Sequence, residues 1–394
     1  MECKWTVARK SLGAALVGAG VVWAISGPVG GGAISRAQTA TQASPAQGLS
    51  PSEAPNFQNA KVESRPVNGT LGEEMQHWAA IAGKAQWLGY AVPVVKGQRS
   101  ICCSDYGNSA HGGCGPCSLE GHHSDARISS SGGNSGKVRL EGSSQMAVMF
   151  RAENGKIGKM RVFSQGCTTD AGGLNVLWLE GVSASESVKA LERFVASAEA
   201  SVEEHESIGK SALMALALHG DASADRAMES FVSPSRPEWL RRESAFWLGE
   251  ARGAEGLQAL EKMAKNDPST QVRDQVVFAL SVSHEPGALT EMIRMAHEDP
   301  DGHVRGQALF WLAQKAGKKG ESTITGAIQN DPDTEVKKKA VFALSQMPQD
   351  EGVPKLIEVA TTNRNPEVRK QAMFWLGQSN DPRALEFFER VLTQ

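Results

Sequence analysis

Hydrophobic residues in the C-terminal half of the chain recur with a period of 32 residues. In each period a leucine or valine precedes a basic residue, and a Phe-x-Leu triplet follows. The phenylalanines of these triplets are Phe246, Phe278, Phe310, Phe342 and Phe374. The leucines are Leu248, Leu280, Leu312, Leu344 and Leu376. Because a fixed period of this length is typical of stacked repeats, both sets are predicted to form the repeat core.

Each period contains two helical patterns. Val272, Val276 and Leu280 lie four residues apart, so they fall on one face of a first helix. Asp267-Pro268 is interpreted as the start of that helix, and Pro286-Gly287 precedes a second amphipathic pattern. One such pair cannot bury its own apolar face. About six such helix pairs are therefore predicted to stack into an α-solenoid over residues 182–394.

One position of the repeat alternates between large and small residues. Tryptophan and alanine alternate at this position, in the order Trp247, Ala279, Trp311, Ala343 and Trp375. We interpret the alternation as packing complementarity between neighbouring repeats, because protein interiors are filled to high density. The alternative is an exposed aromatic stripe that binds a ligand.

Residues 70–181 are predicted to form a small, mostly antiparallel β domain that carries cysteines. It opens with a helical segment, Glu73–Gly83, and β-type patterns follow. Asn154-Gly155 between two apolar runs is the strongest short-range signal for a β-hairpin. Ser183, with a glutamate three residues later, is predicted to form a capping box for the next helix. The predicted strands are Trp87–Val95, 138–142, Met146–Ala152, Ile157–Phe163 and Asn175–Leu179.

The N-terminus has the pattern of a targeting segment. Basic residues precede an apolar run from about Leu12 to Ile25, and Ser35-Arg36-Ala37 offers a cleavage site. Residues 1–37 are predicted to be a secretory signal peptide, with an uncleaved membrane anchor as the alternative. Either interpretation exports the rest of the chain to the periplasm, the cell envelope or the medium. Residues 38–69 are poor in large apolar side chains and are predicted to be a disordered linker.

Composition narrows the class of partner. The chain has 394 residues, a formal charge of −3 and 40% hydrophobic residues, which suits a soluble multi-domain protein. A nucleic-acid-binding domain would need a basic face, and the sequence has none. The expected partner is an envelope or secreted protein or peptide. Contact with a membrane is expected only through an uncleaved N-terminal segment.

Two segments of the repeats resemble a known family. Arg242–Gly249 and Val368–Gly377, both with Phe-Trp-Leu-Gly, look like the short HEAT repeats first grouped with phycocyanobilin lyase subunits. They resemble more closely the versions with this tetrapeptide that are found in secreted bacterial HEAT-repeat proteins. The resemblance covers roughly residues 204–394 and implies a binding scaffold. It also implies an Asp–Arg ladder along the stack, with basic rungs at Arg241, Arg273, Arg305, Lys337 and Arg369. The lysine departs from the pattern and cannot make the forked pairing of arginine.

Cysteine and histidine residues cluster in the β domain. The candidates for disulfides, which export would favour, are Cys102, Cys103, Cys114, Cys117 and Cys167. A zinc site is a second interpretation, with Cys114, Cys117, His122 and His123 as its ligands. The third is thiol–disulfide chemistry, because Cys114-Gly-Pro-Cys117 matches the core of the thioredoxin active site. The strand and the helix that flank that motif in thioredoxins are missing from the pattern here.

The sequence favours a non-enzymatic scaffold that binds protein or peptide. Gly-x-Ser-x-Gly, His-Glu-x-x-His and phosphate-binding Gly-Lys-Ser/Thr motifs are absent. No cofactor is expected, and a zinc-dependent or thiol–disulfide role of the Cys/His loop is the alternative. The second helices are expected to line the concave binding face, with Glu291 and Arg294 as candidate contacts. The run Lys337-Lys338-Lys339 is interpreted as an exposed helix face.

Overall fold

The structure is a computed structural model that describes residues 53–95, 117–120, 144–199 and 208–393. The predicted targeting segment, the strand predicted at 138–142 and most of the Cys/His loop lie outside these residues. Eight strands and fourteen helices form the described part of the chain. Among these helices, none is both long enough and apolar enough to span a membrane.

The β region consists of two sheets. Its strands are β1 (Phe57–Gln58), β2 (Val62–Pro66), β3 (Gln86–Pro93), β4 (Cys117–Ser118), β5 (Gln145–Glu153), β6 (Lys156–Ser164), β7 (Thr169–Asp170) and β8 (Val176–Glu180). The main sheet has the order β2-β8-β3-β5-β6, and a small sheet has the order β1-β7-β4. The pairs β3–β5 and β5–β6 are antiparallel, whereas β2–β8, β3–β8 and both pairs of the small sheet are parallel. The region is therefore a mixed sheet around an antiparallel meander.

The predicted hairpin is confirmed. β5 pairs with β6, and the connection contains Asn154 and Gly155. Both residues have positive φ, 51° and 79°, which a two-residue type I′ turn requires. Asparagine and glycine tolerate this left-handed region at little cost, so the turn fixes the register of the two strands.

Part of the predicted linker is folded. β2 lies within residues 38–69 and pairs in parallel with β8, from Val62 opposite Val176 to Pro66 opposite Glu180. β2 is an edge strand whose side chains are mostly exposed. Its polar composition fits this position, because backbone hydrogen bonds rather than buried side chains hold the strand. Composition alone therefore placed the boundary of the folded region too late.

The helices confirm a stack of about six pairs. Two helices belong to the sheet region, α1 (Leu71–Ile81) and α2 (Ala184–Ala198). The six pairs are α3 (Lys210–Leu218) with α4 (Ser223–Phe231), α5 (Glu238–Ala251) with α6 (Gly253–Asn266), α7 (Thr270–Val282) with α8 (Gly287–Glu298), α9 (Gly302–Ala316) with α10 (Lys318–Asn330), α11 (Thr334–Gln346) with α12 (Gln349–Thr362), and α13 (Pro366–Gly377) with α14 (Pro382–Leu392). We call α5, α7, α9, α11 and α13 the first helices, and α6, α8, α10, α12 and α14 the second helices.

The Asp-Pro motifs do not start the first helices as predicted. Asp267 ends α6, and the N-cap of α7 is Ser269, two residues later. The aspartate instead accepts the N–H of Ser269 at 2.9 Å, which closes the turn between the helices. Ser183 does cap α2, but Glu186 does not complete the predicted capping box, because its carboxylate accepts from Lys189.

The sheet and the solenoid share one core. Side chains alternate along β3, so Leu88 and Tyr90 join the core that continues into the helices. Trp87 and Ala91 face the opposite way, into a second cluster under the small sheet. The hydroxyl of Tyr90 also lies 3.1 Å from that of Ser187 on α2. The two predicted domains are thus continuous where they meet.

Backbone hydrogen bonds join β3 to the end of α3. The N–H of Val95 donates to the carbonyl of Leu218 at 2.9 Å. The N–H of Gly220 donates to the carbonyl of Pro93 at 2.8 Å. A side chain added at Gly220 would lie 2.8 Å from the Val94 carbonyl oxygen, so this close approach requires glycine.

A buried histidine lies at this junction. His219 has no exposed surface, and its Nδ1 accepts the N–H of Asp221 at 3.2 Å. Its Nε2 has no hydrogen-bond partner among the described residues. Burial lowers the pKa of His219 to about 4, against the opposing effect of Asp221, and Arg252 lowers it further. The imidazole is therefore neutral in the folded protein.

A ladder of buried ion pairs joins successive repeats. Arg273 Nε and Nη2 donate to the carboxylate of Asp299 in the next repeat, at 2.8 and 3.2 Å. Its Nη1 donates to the carbonyl of Asp267 at 2.9 Å. Arg305 repeats this arrangement one period later, and Arg241 pairs with Asp267 in the same way one period earlier. Each guanidinium therefore links two successive repeats.

The ladder changes at the fourth rung. The fork of arginine is missing at Lys337, and Asn363 occupies the position that aspartate holds in the three preceding repeats. Lys337 Nζ donates to the carbonyl of Gln329 at 3.1 Å instead. Arg369 donates to the carbonyl of Asn363 at 2.9 Å, which preserves half of the pattern. Both members of the fourth ion pair have thus been replaced together.

We expect acid to weaken the fold through His219. Because the folded state favours the neutral imidazole, the unfolded chain binds a proton more readily, with an ordinary pKa of 6.5. The contribution of His219 is complete above pH 6.5 and decreases as pH falls toward 4, by about 3 kcal/mol in total. His219→Gln retains an acceptor but does not titrate, so its stability should lack this dependence. Urea denaturation across this pH range measures the difference, and parallel curves for both proteins would refute it.

Asp299→Asn should destabilise the protein by about 3 kcal/mol, because it leaves the guanidinium of Arg273 buried without its counter-charge. The amide can still accept the N–H of residue 301, as Asn363 does two periods later. The double variant Arg273→Lys with Asp299→Asn reproduces the natural fourth rung and should regain part of the loss. Urea midpoints, with exposed Glu358→Gln as control, provide the measurement. An unchanged midpoint for Asp299→Asn would show that the pair adds nothing.

Candidate functional site

The first helices lie on the concave side of the stack. First helices of neighbouring repeats pack against each other closely, whereas second helices contact their neighbours much less. α5 and α7 approach so closely that a Cβ at Gly249 would lie 2.3 Å from the carbonyl oxygen of Ala279. A stack bends toward its more closely spaced side. The concave face is therefore lined by the first helices.

This arrangement differs from the face expected from the sequence. Glu291 on the second helix α8 is only 5% exposed. Its carboxylate accepts from both Nε and Nη2 of Arg294, one helical turn away, and Nη1 of Arg294 also donates to Glu298. Glu291 and Arg294, the two candidate contacts, thus form an ion pair with each other, and neither offers a free charge to a partner.

The two apolar columns of the repeat have different environments. The five leucines from Leu248 to Leu376 are between 0% and 3% exposed. The phenylalanines from Phe246 to Phe342 are half-buried, and Phe374 is 54% exposed. Leucine and phenylalanine are two residues apart, which is about 200° around a helix, so they cannot face the same side. The leucines form the repeat core, and the phenylalanines lie at its concave surface, contrary to the prediction.

The exposed rings form one continuous row. We call the eight residues Phe246, Trp247, Phe278, Phe310, Trp311, Phe342, Phe374 and Trp375 the aromatic stripe. Phe246 and Phe278 stack with centroids 6.0 Å apart and planes 9° apart. Phe310 and Phe342 stack at 5.8 Å and 4°. Such geometry adds a specific attraction to the burial of apolar area.

The alternating tryptophans join these stacked pairs. Trp311 lies 5.1 Å from Phe278 of the preceding repeat and 5.1 Å from Phe310 of its own. Trp375 lies 4.9 Å from Phe342 in the same way. The intervening repeats carry buried Ala279 instead, which leaves room for two phenylalanines to stack directly. Packing complementarity and a half-exposed stripe, considered as alternatives from the sequence, coexist in one structure.

An open groove of about 530 Å³ lies at the C-terminal end of the stripe. Its lining residues are Glu335, Lys338, Lys339, Phe342, Gln371 and Trp375. Lys338 and Lys339 are half-buried here, although the lysine run was expected to be an exposed face. The Trp-Ala alternation in the sequence indicated the aromatic side of this groove. Nothing in the sequence indicated that the lysines line it, because their neighbours come from another repeat.

The comparison with known families agrees with this geometry. The profile of the HEAT-repeat family matches residues 227–313 and 321–394. These residues are HEAT repeats. Curated proteins give no match to this sequence. The match begins at residue 227, within α4, so the sheet region and α3 lie outside it.

Several solved structures overlap weakly with the HEAT repeats. Human deoxyhypusine hydroxylase is 18% identical, with a TM-score of 0.29, over 54% of this chain and 80% of its own. The complex of CpcE and CpcF of phycocyanin lyase from a Nostoc species is 20% identical, with a TM-score of 0.31, over 40% and 100%. A condensin subcomplex from S. pombe is 19% identical, with a TM-score of 0.33, over 50% and 28%. The repeat assignment therefore rests on the family match and on the geometry of the helices.

The cysteine site predicted from the sequence is largely outside the described residues. Cys102, Cys103, Cys114, His122 and His123 all lie there. Of the remaining two cysteines, Cys117 begins β4, and Cys167 is 2% exposed and disulfide-bonded. Within the described part of the chain, no group of three His, Cys, Asp or Glu side chains could hold a metal ion. The disulfide connectivity and the zinc alternative stay predictions.

Core and stripe should respond differently to truncation. Leu312→Ala removes a fully buried side chain from the HEAT-repeat core and should cost about 3 kcal/mol of unfolding free energy. Phe310→Ala should cost roughly 1–2 kcal/mol, because the ring is half-exposed and loses only part of its contacts. Urea denaturation of the two variants tests the assignment. A larger loss for Phe310→Ala would place the ring in the core after all.

Proposed function

We propose that the HEAT repeats are a non-enzymatic scaffold that binds an extended segment of a partner protein along the aromatic stripe. The observation that carries this proposal is the unbroken row of rings on the concave face, all of them half-buried or exposed except buried Trp247. Adjacent rings in the row are 4.9–6.0 Å apart, from α5 to α13. A continuous patch of exposed aromatic side chains typically marks an interaction site.

The shape of the stripe supports an extended ligand. The rings run across five successive first helices, and the row is about one ring wide. A globular surface would contact such a narrow, concave row at only a few points. An extended chain can lay side chains on the rings along its whole length, so each repeat contributes apolar area that leaves water.

Amide side chains on both sides of the rings support a peptide backbone as ligand. Glutamines lie three residues before or four residues after the stripe phenylalanines, on the same helical faces. These residues are Gln275, Gln307, Gln314, Gln346, Gln371 and Gln378. Each amide can donate and accept, which matches the alternating N–H and C=O groups of an extended chain. The other flanking positions hold two glutamates, one lysine and one valine. One cation in the two rows suits a polypeptide better than a nucleic acid, whose phosphates need cations.

The proposal includes export. Its support is the apolar N-terminal segment with basic residues before it and a small-residue cleavage site after it. The partner would then be an envelope or secreted protein, and the scaffold would act in the periplasm, at the cell envelope or in the medium. Because the rings of the stripe are apolar, a partner segment with apolar side chains is the best match to it.

Linear peptides selected by phage display on the full chain should depend on the stripe. The double variant Phe278→Ala with Phe342→Ala should bind the selected peptides at least about tenfold more weakly, because two ring contacts are lost. The matched control is Lys319→Ala, an exposed position on the second helix α10, which should leave affinity unchanged. Affinities are measured by calorimetry after thermal stability has been compared. Unchanged binding by the double variant would exclude the stripe as the binding site.

A further inference from the structure

A row of polar side chains crosses three first helices about one to two turns before the rings of the stripe. Asp274 lies on α7, His303 on α9 and Lys339 on α11. Nε2 of His303 is 3.7 Å from Oδ1 of Asp274, and Nδ1 of His303 is 3.1 Å from Nζ of Lys339. The row therefore runs parallel to the aromatic stripe and ends at the groove between α11 and α13.

The position of Lys339 is fixed by a gap in the neighbouring helix. A Cβ at Gly306 on α9 would lie 2.2 Å from Cδ of Lys339, so the lysine stem occupies the space of the missing side chain. The other repeats carry Arg242, Asp274, Lys338 or Lys370 at this position. Only the repeat with glycine allows a lysine from the next helix to lie across it.

Lys339 Nζ has an acceptor but no salt-bridge partner. An ammonium group can only donate, so in this contact Nδ1 of His303 is the acceptor. Among the described residues, no carboxylate oxygen lies within salt-bridge distance of Lys339 Nζ. Its neighbour Lys338 differs, because both carboxylate oxygens of Glu335 accept from it, at 3.0 and 3.2 Å.

The groove thus combines an apolar wall with one ammonium group that makes no salt bridge, and that Asp274, beyond His303, attracts only at longer range. Phe342 and Trp375 form the wall, with ring centroids 4.9 Å apart. Glu335 and Lys338 neutralise each other at its edge. Lys339 remains as the charge of the groove, half-buried and held by Gly306 and His303, with a low entropy cost for ordering its side chain on binding.

We propose that this groove selects partner segments in which an apolar or aromatic residue is next to an aspartate or glutamate. The apolar side chain packs on Phe342 and Trp375, and the carboxylate pairs with Lys339. The inference rests on the proposed function, because it names the class of peptide that the stripe binds. One carboxylate matches the single ammonium group. A doubly charged phosphate would also meet the carboxylates of Glu335 and Asp274, which lie on either side.

Three blocked synthetic peptides test the inference. Each alternates Phe and Ser and carries Glu, Gln or Lys at its central position. The full wild-type chain should bind the Glu peptide about fivefold more tightly than the Gln peptide, and the Lys peptide most weakly. Lys339→Met keeps the apolar stem but removes the charge, so it should bind the Glu and Gln peptides equally. Lys319→Met on α10 is the matched control and should keep the preference.

A second variant tests whether the position of Lys339, rather than a folding defect of Lys339→Met, explains a lost preference. Gly306→Ala retains every charge but displaces the stem of Lys339, so it should also reduce the preference for Glu over Gln. Calorimetry and tryptophan fluorescence give the affinities. Equal binding of the Glu and Gln peptides by wild type, or a preference that survives in Lys339→Met, would overturn the selectivity alone. If none of the three peptides binds, the proposed peptide-binding function fails with it.

Discussion

The buried ion pair between successive repeats determines the spacing on which the rest of the solenoid depends. Arg273 and Asp299 have side chains that are 9% and 1% exposed, and Arg305 and Asp331 are similar. Charges removed from water this far must meet their partners in good geometry, so a shift of one repeat against the next is costly. The same register makes Phe246 and Phe278 stack within 9° of parallel. The stripe is therefore a consequence of the ladder's regular step.

The period of the sequence was sufficient to predict the stack, but it could not separate core from surface. Leu312 and Phe310 repeat with the same regularity, because a repeated binding surface and a repeated core have the same period. The distinction lies in the angle around the helix, which decides that leucine faces the neighbouring helices and phenylalanine the concave side. The β2 strand escaped prediction for a related reason. Its backbone, rather than its side chains, holds it to β8.

Curvature was the property that the sequence could not supply. Which helices line the concave face depends on how closely neighbouring helices approach each other. That distance is set by contacts between residues 30 or more positions apart in the sequence. Gly249 permits near contact of the α5 and α7 backbones, and Gly306 admits the stem of Lys339. Neither glycine shows its role in a single sequence, because its effect depends on an atom of the next repeat. The sequence therefore pointed to the second helices, where Glu291 and Arg294 pair with each other, whereas the helix pairs themselves were correct.

The proposed selective groove lies where the ladder changes. It opens between α11 and α13, and these repeats are joined across Lys337 and Asn363 rather than by an arginine–aspartate fork. Neutral asparagine leaves no buried charge that must be matched, so a small change in the distance between these helices is less costly than elsewhere in the stack. The three ion pairs hold the register of the preceding repeats. The junction at which the proposed ligand side chain packs on Phe342 and Trp375 lacks such a pair, which gives the groove freedom to fit its occupant.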